Sequence, residues 1–376
     1  FRSEHDQRGR QSHPVAGRGA GDYASGRVRS VFPRCGLPGF QRDLWHRHQQ
    51  LCRAKHRFRV KPAARAPFCC YTVTGKQAGG GVLKEALKTV FGVAVWASGF
   101  GWFMRCVYAR RRVTILLYHD PKPERFARHL AYLTQHYHVV SYPDMAAALA
   151  AGDTGLLPPR ALVITMDDGH RGNAALGRHC AAFGVRPMLF VCSGIVATAR
   201  QFWWQSDAAR KLGIARLKSL PDAQRRAELA AEGWHETQEH PERSALSREE
   251  LQSLRAVMDI GAHTRFHPIL PQADADGARA EIAGCKADLE ALLGEEVRHF
   301  AYPNGDYGPR EAALVREAGY ATARTTQTGF NTAATDPYRL KILPSPDDAS
   351  LWWLRAQLSG LPGLLRRALG LSSRYG

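Results

Sequence analysis

The stretch that most constrains this chain is Ala161-Leu-Val-Ile-Thr-Met-Asp-Asp-Gly169. Six mostly apolar residues form a short run, and two adjacent carboxylates and a glycine end it. An apolar run of this length, bounded by a turn signal, predicts a buried strand of a parallel sheet. Asp167 and Asp168 then fall just past its carboxyl end, where α/β sheets and barrels gather their active sites. Neighbouring carboxylates repel each other unless a cation or hydrogen bonds compensate them. An Asp-Asp-Gly surface turn is the plain alternative.

The flanking sequence repeats the pattern. Val113-Thr-Ile-Leu-Leu-Tyr-His119 is a second apolar run ending in a polar group, and Pro187-Met-Leu-Phe-Val191 is a third. Helices are predicted over about 124–136, from near Asp144, and over about 173–183, with a short strand around 138–141. Further strands are expected to end at His263, Tyr302, Arg324 and Leu343. Short apolar runs alternating with amphipathic helices are the sign of repeated βα units. Barrel geometry would collect the strand ends around one mouth. Between residues 193 and 258 lies an insertion longer than an ordinary βα connection. It opens with Phe202-Trp-Trp-Gln205, where Trp203 and Trp204 either stack on a sugar or, the favoured reading, pin the insertion to the barrel rim.

Asp259-Ile-Gly-Ala-His-Thr-Arg-Phe-His267 places His263 and His267 four residues apart, so both imidazoles can reach one point. No Glu follows the first His, so the His-Glu-x-x-His pattern is absent. What the pair lacks is an anionic ligand, and the aspartates offer one. Two histidines and a carboxylate leave coordination positions open, the layout of a catalytic metal site.

Thr165-Met-Asp-Asp-Gly169, His263-Thr-x-x-His267 and Arg298-His-Phe-Ala-Tyr-Pro-Asn-Gly305 resemble, in order, the three leading motifs of the polysaccharide deacetylase (NodB-homology) family. Met166 stands where the family usually has Phe, a modest apolar exchange. The resemblance spans roughly residues 113–345. It implies an α/β fold, a distorted (β/α) barrel of about seven strands. It also implies a metal-dependent hydrolase that removes N-acetyl groups from N-acetylhexosamine units of a polysaccharide or lipid-linked glycan.

The resemblance further implies site roles. Asp168, His263 and His267 hold a divalent ion, expected to be zinc, although cobalt and nickel suit the same ligands. The ion activates water and polarises the acetyl carbonyl. Asp167 is the general base, and the backbone N–H of Tyr302 is similar in position to an oxyanion donor. Arg298 either orients Asp167 or contacts the sugar, and Pro303, Asn304, Trp203 and Trp204 are placed in the substrate groove. The family commonly draws its general acid from a late Leu-x-His motif, yet Asp336-Pro-Tyr-Arg-Leu-Lys-Ile-Leu-Pro344 holds no histidine. His119 resembles the arrangement in members whose strand order is circularly shifted, since first and last strands of a closed barrel are neighbours. An imidazole suits donation to a departing amine. His170 is the next candidate, and a structural role for both is the remaining one.

The flanks have a different texture. The formal net charge is +18, but residues 1–81 hold 16 Lys+Arg against 4 Asp+Glu, and the remainder 36 against 30. This Arg-, Gly-, His- and Pro-rich extension shows no sustained period and is expected to be disordered. Its Cys35, Cys52, Cys69 and Cys70, with His46, His48 and His56, lack the paired spacing of a zinc module. Residues 82–112 are apolar and aromatic, with an uninterrupted stretch Thr89–Met104 slightly short for a membrane span. Trp96, Trp102 and Phe103 beside Arg110-Arg-Arg112 suit a helix lying at a bilayer interface. An amphipathic helix packed on the barrel is the alternative. More positive charge closely follows the segment (Arg105, Arg110-Arg-Arg112) than closely precedes it, which predicts a catalytic domain on the cytoplasmic face of a bacterial inner membrane. Residues 346–376 read as amphipathic helices interrupted at Pro362-Gly363. Cys180, Cys192 and Cys285 show no disulfide framework, consistent with a reducing compartment.

Two other functional classes remain at this point. One is a glycan-binding relative that has lost catalysis, which the intact Asp167, Asp168, His263 and His267 oppose. The other is a nucleic-acid binder driven by the basic extension, recognisable by salt-sensitive binding. The expected partner is an N-acetylated glycan, with a membrane surface and no specific nucleic acid. The sequence leaves the oligomeric state open.

Overall fold

The structure, a computed structural model, describes residues 78–369. Residues 1–77, with the cysteines and histidines of the basic extension, and residues 370–376 lie outside the described residues. In chain order, α1 (Ala78–Ala97), α2 (Phe100–Phe103) and a π-helical turn (Met104–Tyr108) precede β1 (Thr114–Tyr118), α3 (Pro123–His136), β2 (His138–Val139), α4 (Tyr142–Ala150) and β3 (Ala161–Met166). Then come α5 (Gly177–Phe183), β4 (Met188–Val191) and the four short helices of the insertion, α6 (Asp207–Leu212), α7 (Ile214–Ser219), α8 (Asp222–Ala231) and α9 (Arg248–Leu254). The chain continues through β5 (Asp259–Ala262), α10 (Ala275–Leu293), β6 (His299–Ala301), α11 (Pro309–Glu317), β7 (Thr322–Thr328), β8 (Leu340–Pro344), α12 (Leu351–Leu358) and α13 (Leu361–Ala368).

All strand pairings in the sheet are parallel, and β1 pairs with both β8 and β3, so the sheet closes on itself. The ring has seven strands, in line with what the family resemblance implies. β2 stands apart from it, pairing with the start of β3 at Ala161 and Leu162, while β4 takes Thr165 and Met166 further along the same edge. The ring is distorted where β5 meets β6 through one register pair, Ala262 with Phe300, and where the β7–β8 register shifts between Arg324 and Thr328. β7 therefore runs on past Arg324 to Thr328, beyond the strand end expected from sequence. The helix expected from Asn173 begins instead as a 3-10 turn (Arg171–Leu176), with the buried Asn173 amide donating to the carbonyl of His119.

Strand alternation sorts the apolar side chains into two layers. Ile115, Leu117, Val163, Met188, Phe190, Ala301, Leu340 and Ile342 fill the barrel, whereas Leu116, Tyr118, Leu162, Ile164, Leu189, Val191 and Phe300 meet the surrounding helices. α4 closes the end where the strands begin: its Tyr142 lies against Phe190 and His299 and bonds the Thr322 hydroxyl at 3.3 Å. Gly261 is required by this filling, because a Cβ there would stand 2.5 Å from the Phe190 ring.

The insertion has a small core of its own, built on Trp203, Ala209, Leu217, Leu229 and Trp234, which reaches the barrel through Ile269. At the other side of the barrel, α1 packs on α12. Gly92 lets the helices approach so closely that a Cβ would be 2.4 Å from the Trp352 carbonyl oxygen, and Trp96 meets Trp352 edge-on at 5.6 Å. No described helix is alone long and apolar enough to cross a membrane; Leu83–Ala97 and Phe100–Tyr108 reach that length and composition only together, bent by 67°. Ser98 and Gly99 make the break, with Gly99 at φ 71°.

Gly261→Ala is expected to lower stability by about 1–3 kcal/mol through overpacking, read as a lower denaturant midpoint at unchanged m-value. An unshifted midpoint would show that Phe190 can swing aside.

Candidate metal centre

Alternation carries the barrel filling directly into the site. Val163 and Thr165 are followed on the same face by Asp167, and Gly261 is followed by His263. Asp168 takes a left-handed backbone, φ 73°, so its carboxylate leaves in a direction different from that of Asp167. Thr264, His267 and Asn304 also have positive φ. Such conformations cost about 1–3 kcal/mol each and persist where the surroundings over-determine them. Among the described residues, four of the six non-glycine residues with positive φ thus lie on the site loops.

Asp168, His263 and His267 are all buried, and each offers a ligand atom within 4.8 Å of the others. Asp168 Oδ1 stands 3.4 Å from His263 Nε2 and 3.5 Å from His267 Nε2. Ligands about 2.0–2.1 Å from a tetrahedral zinc ion are separated by roughly 3.4 Å, so these spacings fit a shared ion. The hydrogen bonding agrees. Asp168 Oδ1 is buried without a hydrogen-bond partner, while Oδ2 bonds His170 Nε2 at 3.0 Å. His263 Nδ1 faces the carbonyl of Ala301 at 2.8 Å, which turns Nε2 toward the cluster, the usual orientation of a ligating imidazole.

The electrostatics suit ligation. Burial would push the Asp168 carboxyl up, but the His170 hydrogen bond and the neighbouring imidazoles of His263 and His267 hold it well below the usual range. Burial pushes His267 down to about 3, so its imidazole is neutral and free to donate a lone pair. His263 is pulled the other way: burial lowers it, but Asp167 and Asp168 together raise it above its ordinary value. A cation at this point would replace that proton.

Asp167 has a separate partner. The fully buried Arg324 guanidinium bonds both of its oxygens and lies 5.3 Å over the Phe190 ring. The orienting role offered to Arg298 is thereby corrected. Arg298 precedes β6, on the exposed rim where the strands begin, with Glu296 3.7 Å away. The strand that carries the motif separates it from the mouth.

Tyr302, Pro303 and Trp203 are engaged within the fold, whereas Trp204 and Asn304 stay at the rim of the site. The N–H of Tyr302 donates to the Arg324 carbonyl at 3.0 Å as part of the sheet, so it is committed rather than aimed at substrate. Its ring is buried and stacked on Tyr307. Pro303 and Trp203 are buried and present no surface to a sugar. Trp203 instead donates its indole N–H to the His267 carbonyl at 3.1 Å. Trp204 is half-buried, its ring 4.5 Å from that of His267, so it forms part of the wall. Asn304 accepts a bond from Lys218 of α7 at 3.0 Å, tying the β6 loop to the insertion.

His119 is half-buried at the end of β1, its main chain held from both sides. Its N–H donates to Asp347, as does that of Asp120, and its carbonyl accepts from Asn173. His170 is engaged with Asp168, which makes it a support of that ligand.

Glu281 of α10 escaped the sequence reading. Its Oε2 accepts the backbone N–H groups of Arg265 (2.8 Å) and Phe266 (2.9 Å), gripping the loop between the two histidines. Burial pushes its carboxyl up to about 7. The available signal was an acidic residue on the buried stripe of α10 formed by Ala278, Ile282, Cys285 and Leu289. Arg324 carried a similar signal, a cation on the inward register of β7.

Residues 155–323 match the polysaccharide deacetylase family. No match was found among curated protein sequences. Among solved structures, the chain is similar to the Streptococcus pyogenes deacetylase PplD in complex with acetate, at 18% identity and a TM-score of 0.49, covering 66% of this chain and 98% of that one. It is likewise similar to IcaB from Ammonifex degensii, at 20% identity and a TM-score of 0.49, covering 66% and 97%.

Two outcomes are expected. Arg324→Met leaves Asp167 buried and unpaired, and should cost about 3–5 kcal/mol of stability by chemical denaturation. Glu281→Ala frees the histidine loop and should weaken zinc binding by about 10–100-fold in competition with a chromophoric chelator. Unchanged zinc affinity would reduce Glu281 to packing alone.

Proposed function

From the premise that residues 155–323 belong to the polysaccharide deacetylase family, and that the chain is an enzyme of that family, we propose that it hydrolyses the N-acetyl amide of N-acetylhexosamine units in a polysaccharide or lipid-linked glycan. The observation that carries the reading is the convergence of Asp168, His263 and His267 on one point, with Asp167 held separately beside them. Those three residues would hold a divalent ion, assigned here as zinc, whose Lewis acidity would serve both water and the acetyl carbonyl.

The rest of the chemistry falls to side chains. Asp167, oriented by Arg324, accepts the proton that water loses as its oxygen attacks the carbonyl carbon. The C–N bond then breaks, and the departing amine needs a proton to leave. His119 is assigned that donation, because its main chain is fixed at the mouth while His170 is occupied by Asp168. Trp204, beside His267, and Asn304, bonded to Lys218 of the insertion, line the approach. Products are acetate and a glucosamine-type amine.

The remaining parts of the proposal concern placement. The apolar segment around Trp96 and Trp102 is assigned to a membrane surface, with the barrel on the cytoplasmic face of the inner membrane. The exposure of both indoles supports the membrane contact, and the basic cluster after the segment is the ground for the side. Residues 113–345 are the catalytic unit.

Acetate release from N-acetylglucosamine oligomers is expected to stop with chelator and to return with zinc. His119→Ala should lower kcat by about 100-fold or more with KM little changed. Full turnover in that variant would remove His119 from its role, and turnover insensitive to chelator would remove the metal-dependent reading.

A further inference from the structure

The helices flanking the barrel are arranged apolar side out. In α1, Gly92 and Val95 are buried against α12, whereas Leu83, Leu87, Val90 and Trp96 are each more than half exposed. The apolar exposure continues through Trp102, Phe103, Val107 and Tyr108, and resumes on α13 at Leu364, Leu365 and Leu369. A run of this kind exceeds the scattered exposure of ordinary surfaces and marks an interaction face.

A cavity of about 930 Å³ opens between the Met104–Tyr108 turn, the β7–β8 region and α13. Its floor is apolar, with Met104, Phe330 and Leu343. Its cations are Arg112, Lys341, Arg366 and Arg367, and no carboxylate lines it. Arg112 is braced for this position: its guanidinium lies 3.8 Å over the Tyr108 ring and donates to the Tyr108 carbonyl. Four cations above an apolar floor, beside an apolar outer face, are complementary to one ligand chemistry: an acidic headgroup still attached to its hydrocarbon.

We propose that this groove binds the phosphate headgroup of an anionic membrane phospholipid while the outward faces of α1, α2 and α13 rest in the bilayer beside it. The inference deepens the membrane reading above and is independent of the deacetylase chemistry. Basic residues at an anionic surface and aromatic residues at the interface then act together, and the barrel is tethered by its flank.

The full chain is titrated with monomeric dihexanoyl phosphatidylglycerol and with the corresponding phosphatidylcholine. It is also sedimented with vesicles of phosphatidylcholine alone or mixed with phosphatidylglycerol. Saturable binding of the anionic monomer, and tighter binding to the mixed vesicles, are expected. Lys341→Gln with Arg367→Gln should weaken both by roughly tenfold or more. Arg366→Gln with Arg367→Gln should do the same if the first pair melts early. Trp102→Ser with Phe103→Ser should reduce binding to both vesicle types while leaving the anionic monomer bound. Equal affinity for the two monomers, or charge variants that bind phosphatidylglycerol like the parent, would overturn the groove; neutral-vesicle binding in that case leaves the membrane reading standing. Anionic monomer bound without any vesicle binding would leave the groove and remove the membrane. Inorganic phosphate displacing the lipid monomer at equal concentration would show that the apolar floor contributes nothing, and would also overturn the proposal.

Discussion

Two ionised carboxylates on consecutive residues cannot share a buried barrel mouth unless each has its own positive partner. The molecule solves this by sending them apart. Asp167 keeps the inward direction of β3 and meets Arg324, while the left-handed turn at Asp168 delivers the second carboxylate to the imidazoles. An unpaired carboxylate or guanidinium at this depth would be costly, so the strand end and β7 constrain each other. The β7–β8 register shifts just past this pairing, between Arg324 and Thr328.

The second constraint is the loop between the histidines. His263 continues a strand and inherits its direction, but His267 must return to the same point within four residues. That return needs positive φ at Thr264 and His267, a hydrogen bond donated by the His267 N–H to the Thr264 hydroxyl oxygen, and the Glu281 grip on the two amides between. From outside, the Trp203 indole holds the His267 carbonyl. The insertion is therefore more than a cover. Through Trp203, Lys218 and the Arg226–Glu281 contact, its fold bears on where the ligands stand.

Much of this was legible before the fold was known. The apolar runs at 114–118, 161–166 and 188–191 are short strands buried along their whole length, the pattern of a doubly covered parallel strand. The two histidines and the aspartate pair could be picked out because metal chemistry demands few residue types, whereas the choice of Asp168 over Asp167 came from the family resemblance. Less legible were the supports. Arg298 stood inside a motif and attracted a role, yet the strand after it carries the chain to the other end of the barrel. Arg324 and Glu281 stood in no motif, and only their inward register on a strand and a helix marked them. Tyr302 shows the same limit: a sequence position does not reveal whether its N–H belongs to a ladder.

What the sequence determined by itself is the parts list: which segments are strands, that their polar ends form one mouth, and which side chains can ligate or move protons. Local periodicity and donor chemistry are properties of short stretches, so they survive without the fold. The tertiary structure alone decided the pairings, since Asp167 and Arg324 are far apart in the chain and meet only because the barrel closes. It also decided that the apolar side of α1 faces outward, because that depends on Gly92 admitting Trp352 to the opposite side of the helix.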